Sequence, residues 1–191
     1  MSERSRSARV QEDVMYTKAR IAGHPIHPAL VAFPIAFYTA ALFGFTVYWL
    51  NGNALWFRIG VVANIGGVIT AVAAAIPGFI DWAVGVPTGS PAKITGLKHM
   101  LLQLGATVIF LINVVLQWPK WGSLAPAVGA SVILALLGLV LVAVGGTLGW
   151  KLVANHHVGV ELTPEQEQLE PTAGSQHATT GRMFPPVSQP R

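Results

Sequence analysis

Cysteine is absent from the chain. That excludes disulfides, thiolate metal ligands and iron–sulfur clusters held by thiolates, and it leaves the redox compartment open. Charge is scarce. Asp, Glu, Lys and Arg make up 10% of the 191 residues, where a soluble domain carries about 25%. From Ile21 to Trp150 the only such residues are Arg58, Asp81, Lys93, Lys98 and Lys120. So few charges do not solvate a globular surface, so lipid is the expected solvent. No phosphate-cradling glycine loop is visible, and no serine or cysteine nucleophile stands with a base, which disfavours an enzyme in its own right. The net charge of +4 is split between the N-terminal region and helix ends, which is a membrane-topology pattern and not a nucleic-acid one. No cleavable leader is expected either: no apolar stretch begins before about Ala29, and no small-residue cleavage site follows the arginines.

What is present is long apolar sequence. Four segments are long enough to span a bilayer, roughly Ala29–Leu50, Ala54–Ile76, Leu97–Gln117 and Ser123–Trp150, since about 20 residues at 1.5 Å each are needed. Asn51-Gly52-Asn53 reads as a tight turn, Trp118 to Gly122 as a break, and Pro77 to Gly96 as the longest connection. No internal repeat is evident. Trp49, Trp56, Trp82, Trp118, Trp121 and Trp150 fall at the predicted helix ends, the headgroup level that tryptophan favours. The reading is therefore all-α, a four-helix transmembrane bundle over residues 21–160, in contact with the lipid bilayer. Residues 1–20 and 161–191 are read as disordered tails.

Four spans put both termini on one side. Arg9, Lys18, Arg20, Lys93, Lys98 and Lys151 would lie there, against Arg58 and Lys120 opposite, so the positive-inside rule places both termini in the cytoplasm. Small residues at spacing four (Ala63, Gly67, Ala71, Ala75) and the pair Gly145/Gly149, with Gly138 on the same face, favour close helix packing within the chain. Pro34 should kink the first helix. Asn64 and Asn113 sit at similar depth, and an interhelical hydrogen bond between them is expected, at about 0.6 kcal/mol.

The residues most able to carry chemistry gather on the cytoplasmic side of this topology. Gly23-His24-Pro25-Ile26-His27-Pro28 precedes the first span, Asp81 follows the second, Lys98 and His99 open the third, and His156 and His157 follow the fourth. Ionisable groups at the edge of a transmembrane bundle are functional candidates. His99 heads a polar stripe with Gln103, Thr107 and Asn113, expected to face the bundle interior. Three readings stand. His24, His27 and His99 are candidate ligands of a b-type haem, and His24, His27, Asp81, His99 and His157 of a transition-metal ion. Asp81 is alternatively a hydrogen-bond partner to the second nitrogen of a ligating imidazole. The second reading is proton or quinone handling. The third is structural, with His27 ahead of a helix-starting Pro28 and no bound cofactor; a Ser, Thr, Asp or Asn would cap better than His27.

These residues carry a resemblance. Gly23 to Pro34, Gly78-Phe79-Ile80-Asp81-Trp82, His99, and Gly145-Gly146 with His157-Val158-Gly159-Val160 resemble the signatures of the bacterial domain of unknown function 2231 family, over about Gly23 to Leu162. Ala32 stands where many members have a further histidine, and Asn155-His156-His157 where an aromatic and a basic residue more often precede one histidine. The resemblance implies a four-helix protein of the bacterial inner membrane with no settled activity. Relatives joined to Rieske-type iron–sulfur domains imply a membrane redox complex as partner. This chain, without cysteine, would be at most the membrane anchor there. The alternative it leaves open is a structural or interaction subunit of a membrane complex.

Overall fold

The computed structural model describes residues 17–22 and 24–160; the two expected tails lie outside them, except for residues 17–20. Four helical spans, Ile26–Asn51, Ala54–Gly85, Pro91–Lys120 and Gly129–Ala154, are long and apolar enough to cross a membrane. Their apolar side chains are widely exposed, including Phe33, Leu50, Ile69 and Val115, as lipid-facing surfaces must be. The first span packs chiefly on the second and the third on the fourth; second–third and first–fourth contacts close the ring. "Near end" below denotes the end holding residues 17–25 and 155–159, and "far end" the other.

Each boundary has a local cause. The first span is two helices, α1 (Ile26–Leu30) and α2 (Ala32–Asn51), broken at Val31. Pro34 lacks an N–H and its ring crowds the carbonyl four residues back, that of Leu30, so the expected kink is present. Gly52 ends α2 with φ 70° and donates its N–H to Tyr48 O, a left-handed position that glycine takes without strain. Asn53 then caps α3 (Ala54–Ile80), its side chain accepting from Leu55 N at 3.0 Å. The second span does not stop near Ile76. It runs through Pro77 and finishes in a π-helical turn, Asp81–Gly85. Lys93 closes that turn by donating from Nζ to the carbonyls of Trp82, Ala83 and Val86, with the ammonium 4.3 Å from the centre of the Trp82 ring. Ser90, with Pro91 after it, caps α4 (Pro91–Gln117). The long connection expected from Pro77 to Gly96 is thus only residues 86–90. The fourth span, α5 (Gly129–Ala154), starts later than expected, because Pro126 biases the residue before it away from helix. Trp82 donates from Nε1 to Lys93 O and packs its ring on Gly96.

The interior is layered, and the layers expose a repeat. Tyr38 stacks on Phe110 at 3.6 Å, nearly parallel. A Cβ on Gly67 would lie 2.4 Å from the Tyr38 ring, and one on Gly138 2.5 Å from the Phe110 ring. Two rings from the first and third spans therefore meet on the axis, each seated on a glycine of its hairpin partner. The same plan recurs at the near end with His27 and His99, seated on Gly78 and Gly149. His27 and His99 are as far apart in sequence as Tyr38 and Phe110; Gly67 and Gly138 match Gly78 and Gly149. The second hairpin thus repeats the plan of the first, with a ring from its first span seated on a glycine of its second span at matching positions. Little residue identity survives between them, which is why the sequence hides it.

Candidate functional site

His27 and His99 come together at the near end of that axis. Their ring centroids are 6.2 Å apart and their planes nearly perpendicular, at 87°. Each ring reaches a backbone carbonyl of the helix beside it: His27 Nδ1 lies 2.8 Å from Ala74 O, and His99 Nδ1 2.8 Å from Gly145 O. A carbonyl only accepts, so each Nδ1 carries a proton and donates it; in a neutral ring Nε2 is then the atom with a lone pair.

The repeated glycine explains how an imidazole gets there. In a helix, residue i+4 covers the carbonyl of residue i. Gly78 stands four residues after Ala74, and Gly149 four after Gly145. With no Cβ at those positions the ring slides onto the helix surface and meets the carbonyl edge-on. A Cβ on Gly78 would stand 2.7 Å from His27 Nδ1 and 2.8 Å from Cε1; on Gly149, 3.1 Å from His99 Cε1 and 3.2 Å from Nδ1. The Nδ1–Cε1 edges therefore face the seats. The Gly145/Gly149 pair, read as a helix-packing motif, is packed within the chain as expected, and what packs there is the His99 ring together with Gln103 and Leu102 against Gly145.

The other candidates are placed differently. His24 is exposed, its Nδ1 2.9 Å from Ala22 O, within the two-stranded hairpin of β1 (Arg20–Ile21) and β2 (His24–Pro25). Asp81 is buried, and its Oδ1 accepts from Lys18 N at 2.7 Å and Ala19 N at 2.8 Å. It fastens the incoming chain to the end of the second span, and the imidazole nitrogens take backbone carbonyls in the place expected for its carboxylate. Thr17 is buried and packs on Gly159. His157 has φ 51° and lies in the turn after α5, where Val158 N donates to Leu152 O. Among the described residues no three His, Cys, Asp or Glu side chains form a group that could hold a metal ion. Of the five candidate ligands, the structure brings the rings of His27 and His99 together.

Sequence reasoning missed Ala74 and Gly78 as the seat of His27. Pro77 made the second span appear to end before Gly78, although Ala74 lay inside it. The one signal available was the match between Ala74–Gly78 and Gly145–Gly149, which becomes legible only once the hairpins are superposed.

The expected Asn64–Asn113 bond is not formed. Asn113 Nδ2 donates to Ser131 O at 3.2 Å, across to the fourth span, and neither side-chain atom of Asn64 has a partner. Of the polar stripe, Gln103 Nε2 donates to Val142 O and Thr107 Oγ1 to Gln103 O, so its inward direction holds.

Comparison with curated proteins found no match, and comparison with solved structures found none. A family model described as "Predicted membrane protein (DUF2231)" matches residues 23–162, taking in all four spans and both histidines of the pair. The chain belongs to the DUF2231 family of predicted membrane proteins.

Proposed function

We propose that this membrane protein binds one transition-metal centre between His27 and His99, as a bare ion or as the iron of a b-type haem, and serves redox chemistry in the membrane. The observation that carries the reading is the paired tautomer. Two imidazoles on the bundle axis both spend Nδ1–H on a backbone carbonyl, the device by which proteins orient a metal-binding histidine and present Nε2 as ligand. The placement supports it: the two ring centroids lie 6.2 Å apart, on spans that are not hairpin partners, so His27 and His99 would be the residues that hold the centre. Imidazole ligands suit iron, copper, zinc and nickel. A haem or copper centre would supply one-electron transfer. His27 and His99 would hold it, the Ala74 and Gly145 carbonyls would fix the rings, and the surrounding helices would limit water access.

We place the near end in the cytoplasm of a bacterial cell, with the protein in the inner membrane and a membrane redox complex as its partner. Lys18, Arg20, Lys98 and Lys151 belong to the near end, and Arg58 and Lys120 to the far end, which supports that orientation. A C-terminal reporter active only in the periplasm would reverse it.

The test is to purify the protein in mild detergent and record its visible spectrum and metal content. A Soret band lost in H27A and in H99A assigns haem; a colourless protein with one metal per chain, lost in the same variants, assigns a bare ion. A colourless, metal-free protein would overturn the reading and leave the pair as fasteners within each hairpin.

A further inference from the structure

We infer that the middle of the bundle holds a second site, independent of the histidine pair, in which Asn64, Asn113 and Gln117 bind ordered water. Three residues toward the far end from the Tyr38–Phe110 layer, each span contributes one side chain: Ala41, Asn64, Asn113 and Ala135. All four are 0% exposed. The next layer holds Phe45, against Gly60, and Gln117, hydrogen-bonded to Ser131. The polar members lie on the second, third and fourth spans and are buried, so lipid does not reach them.

Their hydrogen bonding is incomplete. Asn64 Nδ2, Asn64 Oδ1, Asn113 Oδ1 and Gln117 Oε1 are buried with no partner. Asn113 Nδ2 is fixed by Ser131 O, which only accepts, so its oxygen is the free atom whichever way its neighbours are turned. Leaving such groups dry inside a membrane protein is costly for each of them.

The inventory of free atoms selects the occupant. It contains the Asn64 and Asn113 oxygens, the Asn64 amide nitrogen with two hydrogens to donate, and whichever end of the Gln117 amide is not engaged by Ser131 Oγ, a hydroxyl that both donates and accepts. A bare cation would satisfy the oxygens and leave amide hydrogens without an acceptor. An anion would face the oxygens. No charged side chain lies in these two layers to balance either. The occupant is therefore small, neutral, and both donor and acceptor, which is the description of water. Ala41 and Ala135 add only a methyl each to this layer, so the groups water would meet there are the unpaired amides and not a wholly apolar wall.

The test uses the whole protein, uniformly labelled with 13C and 15N, in lipid bilayers, with water-edited solid-state NMR. The side-chain NH2 signal of Asn64 should receive magnetisation from water, while the signal of Phe110, in the adjoining ring layer, does not. Loss of that signal in N64A assigns it; if N64A does not fold, a backbone walk in the unaltered protein assigns it instead. An Asn64 signal as dry as Phe110 would overturn the site. So would a shift of the Asn64 and Asn113 amides that requires sodium or potassium in the buffer, since a cation would then be the occupant.

Discussion

Replacing Gly78 with alanine tests the seat of His27 without touching the histidine. The new Cβ would stand 2.7 Å from Nδ1 and 2.8 Å from Cε1, where van der Waals contact begins near 3.4 Å. The ring must retreat by roughly 0.7 Å, which stretches the 2.8 Å bond to Ala74 O to about 3.5 Å, beyond useful hydrogen bonding. Overpacking of this kind costs about 1–3 kcal/mol, and the lost bond about 1 kcal/mol. Alanine returns about 1 kcal/mol through helix propensity. The net expectation is destabilisation by about 1–3 kcal/mol, with His27 losing its fixed tautomer. Gly149→Ala should be milder, because its nearest contact is 3.1 Å and the His99 ring needs to give only a few tenths of an ångström. Gly146→Ala meets nothing within 4 Å and should be neutral or stabilising by up to about 1 kcal/mol. Thermal unfolding of the three variants in one detergent, with the 15N shifts of the histidine rings, reads the order directly. Equal melting of the Gly78 and Gly146 variants, with His27 shifts unchanged, would refute the seat.

Other substitutions probe other parts of the bundle. Gly67→Ala should destabilise about as strongly as Gly78→Ala or more, because its Cβ would stand 2.4 Å from the Tyr38 ring and break the stack on Phe110; loss of near-ultraviolet circular dichroism and a lower Tm check it. Asp81→Ala removes an acceptor of two backbone N–H groups, each worth about 1.5–3 kcal/mol when the acceptor is charged. It should free the segment before the first span, so that trypsin cuts at Lys18 and Arg20 faster than in the unaltered protein. Unchanged cleavage would show that Asp81 does not hold that segment. Lys93→Met should loosen the π-helical turn, since three carbonyls lose their donor; faster amide exchange over residues 81–90 is the readout.

The number of spans and the bundle class were legible because membrane insertion depends on apolar length, and four runs carry it plainly. The turn at Gly52 and the kink at Pro34 were legible for the same kind of reason, each resting on one residue's backbone chemistry. The second span was misjudged at Pro77, because proline within a helix of a packed bundle is tolerated where neighbours satisfy the backbone. The site was half legible. His27 and His99 stood out as ionisable groups at a membrane edge. Their partners did not, because a glycine that exposes a carbonyl looks in sequence like a glycine that lets helices approach. Asp81 was drawn toward the histidines by its charge. The structure gives that charge to the Lys18 and Ala19 amides.

The central claim is that His27 and His99 act together as the two ligands of one centre. With ring-15N-labelled histidine, the metal-free protein can be titrated with haemin, with copper(I) and with zinc in separate samples. For one of these the Nε2 resonances of His27 and His99 should move together to a single end point at one equivalent, while both Nδ1–H protons stay on their carbonyls and the His24 resonances stay put. If neither Nε2 responds to any of the three, or if His24 responds in their place, the two-imidazole site is contradicted.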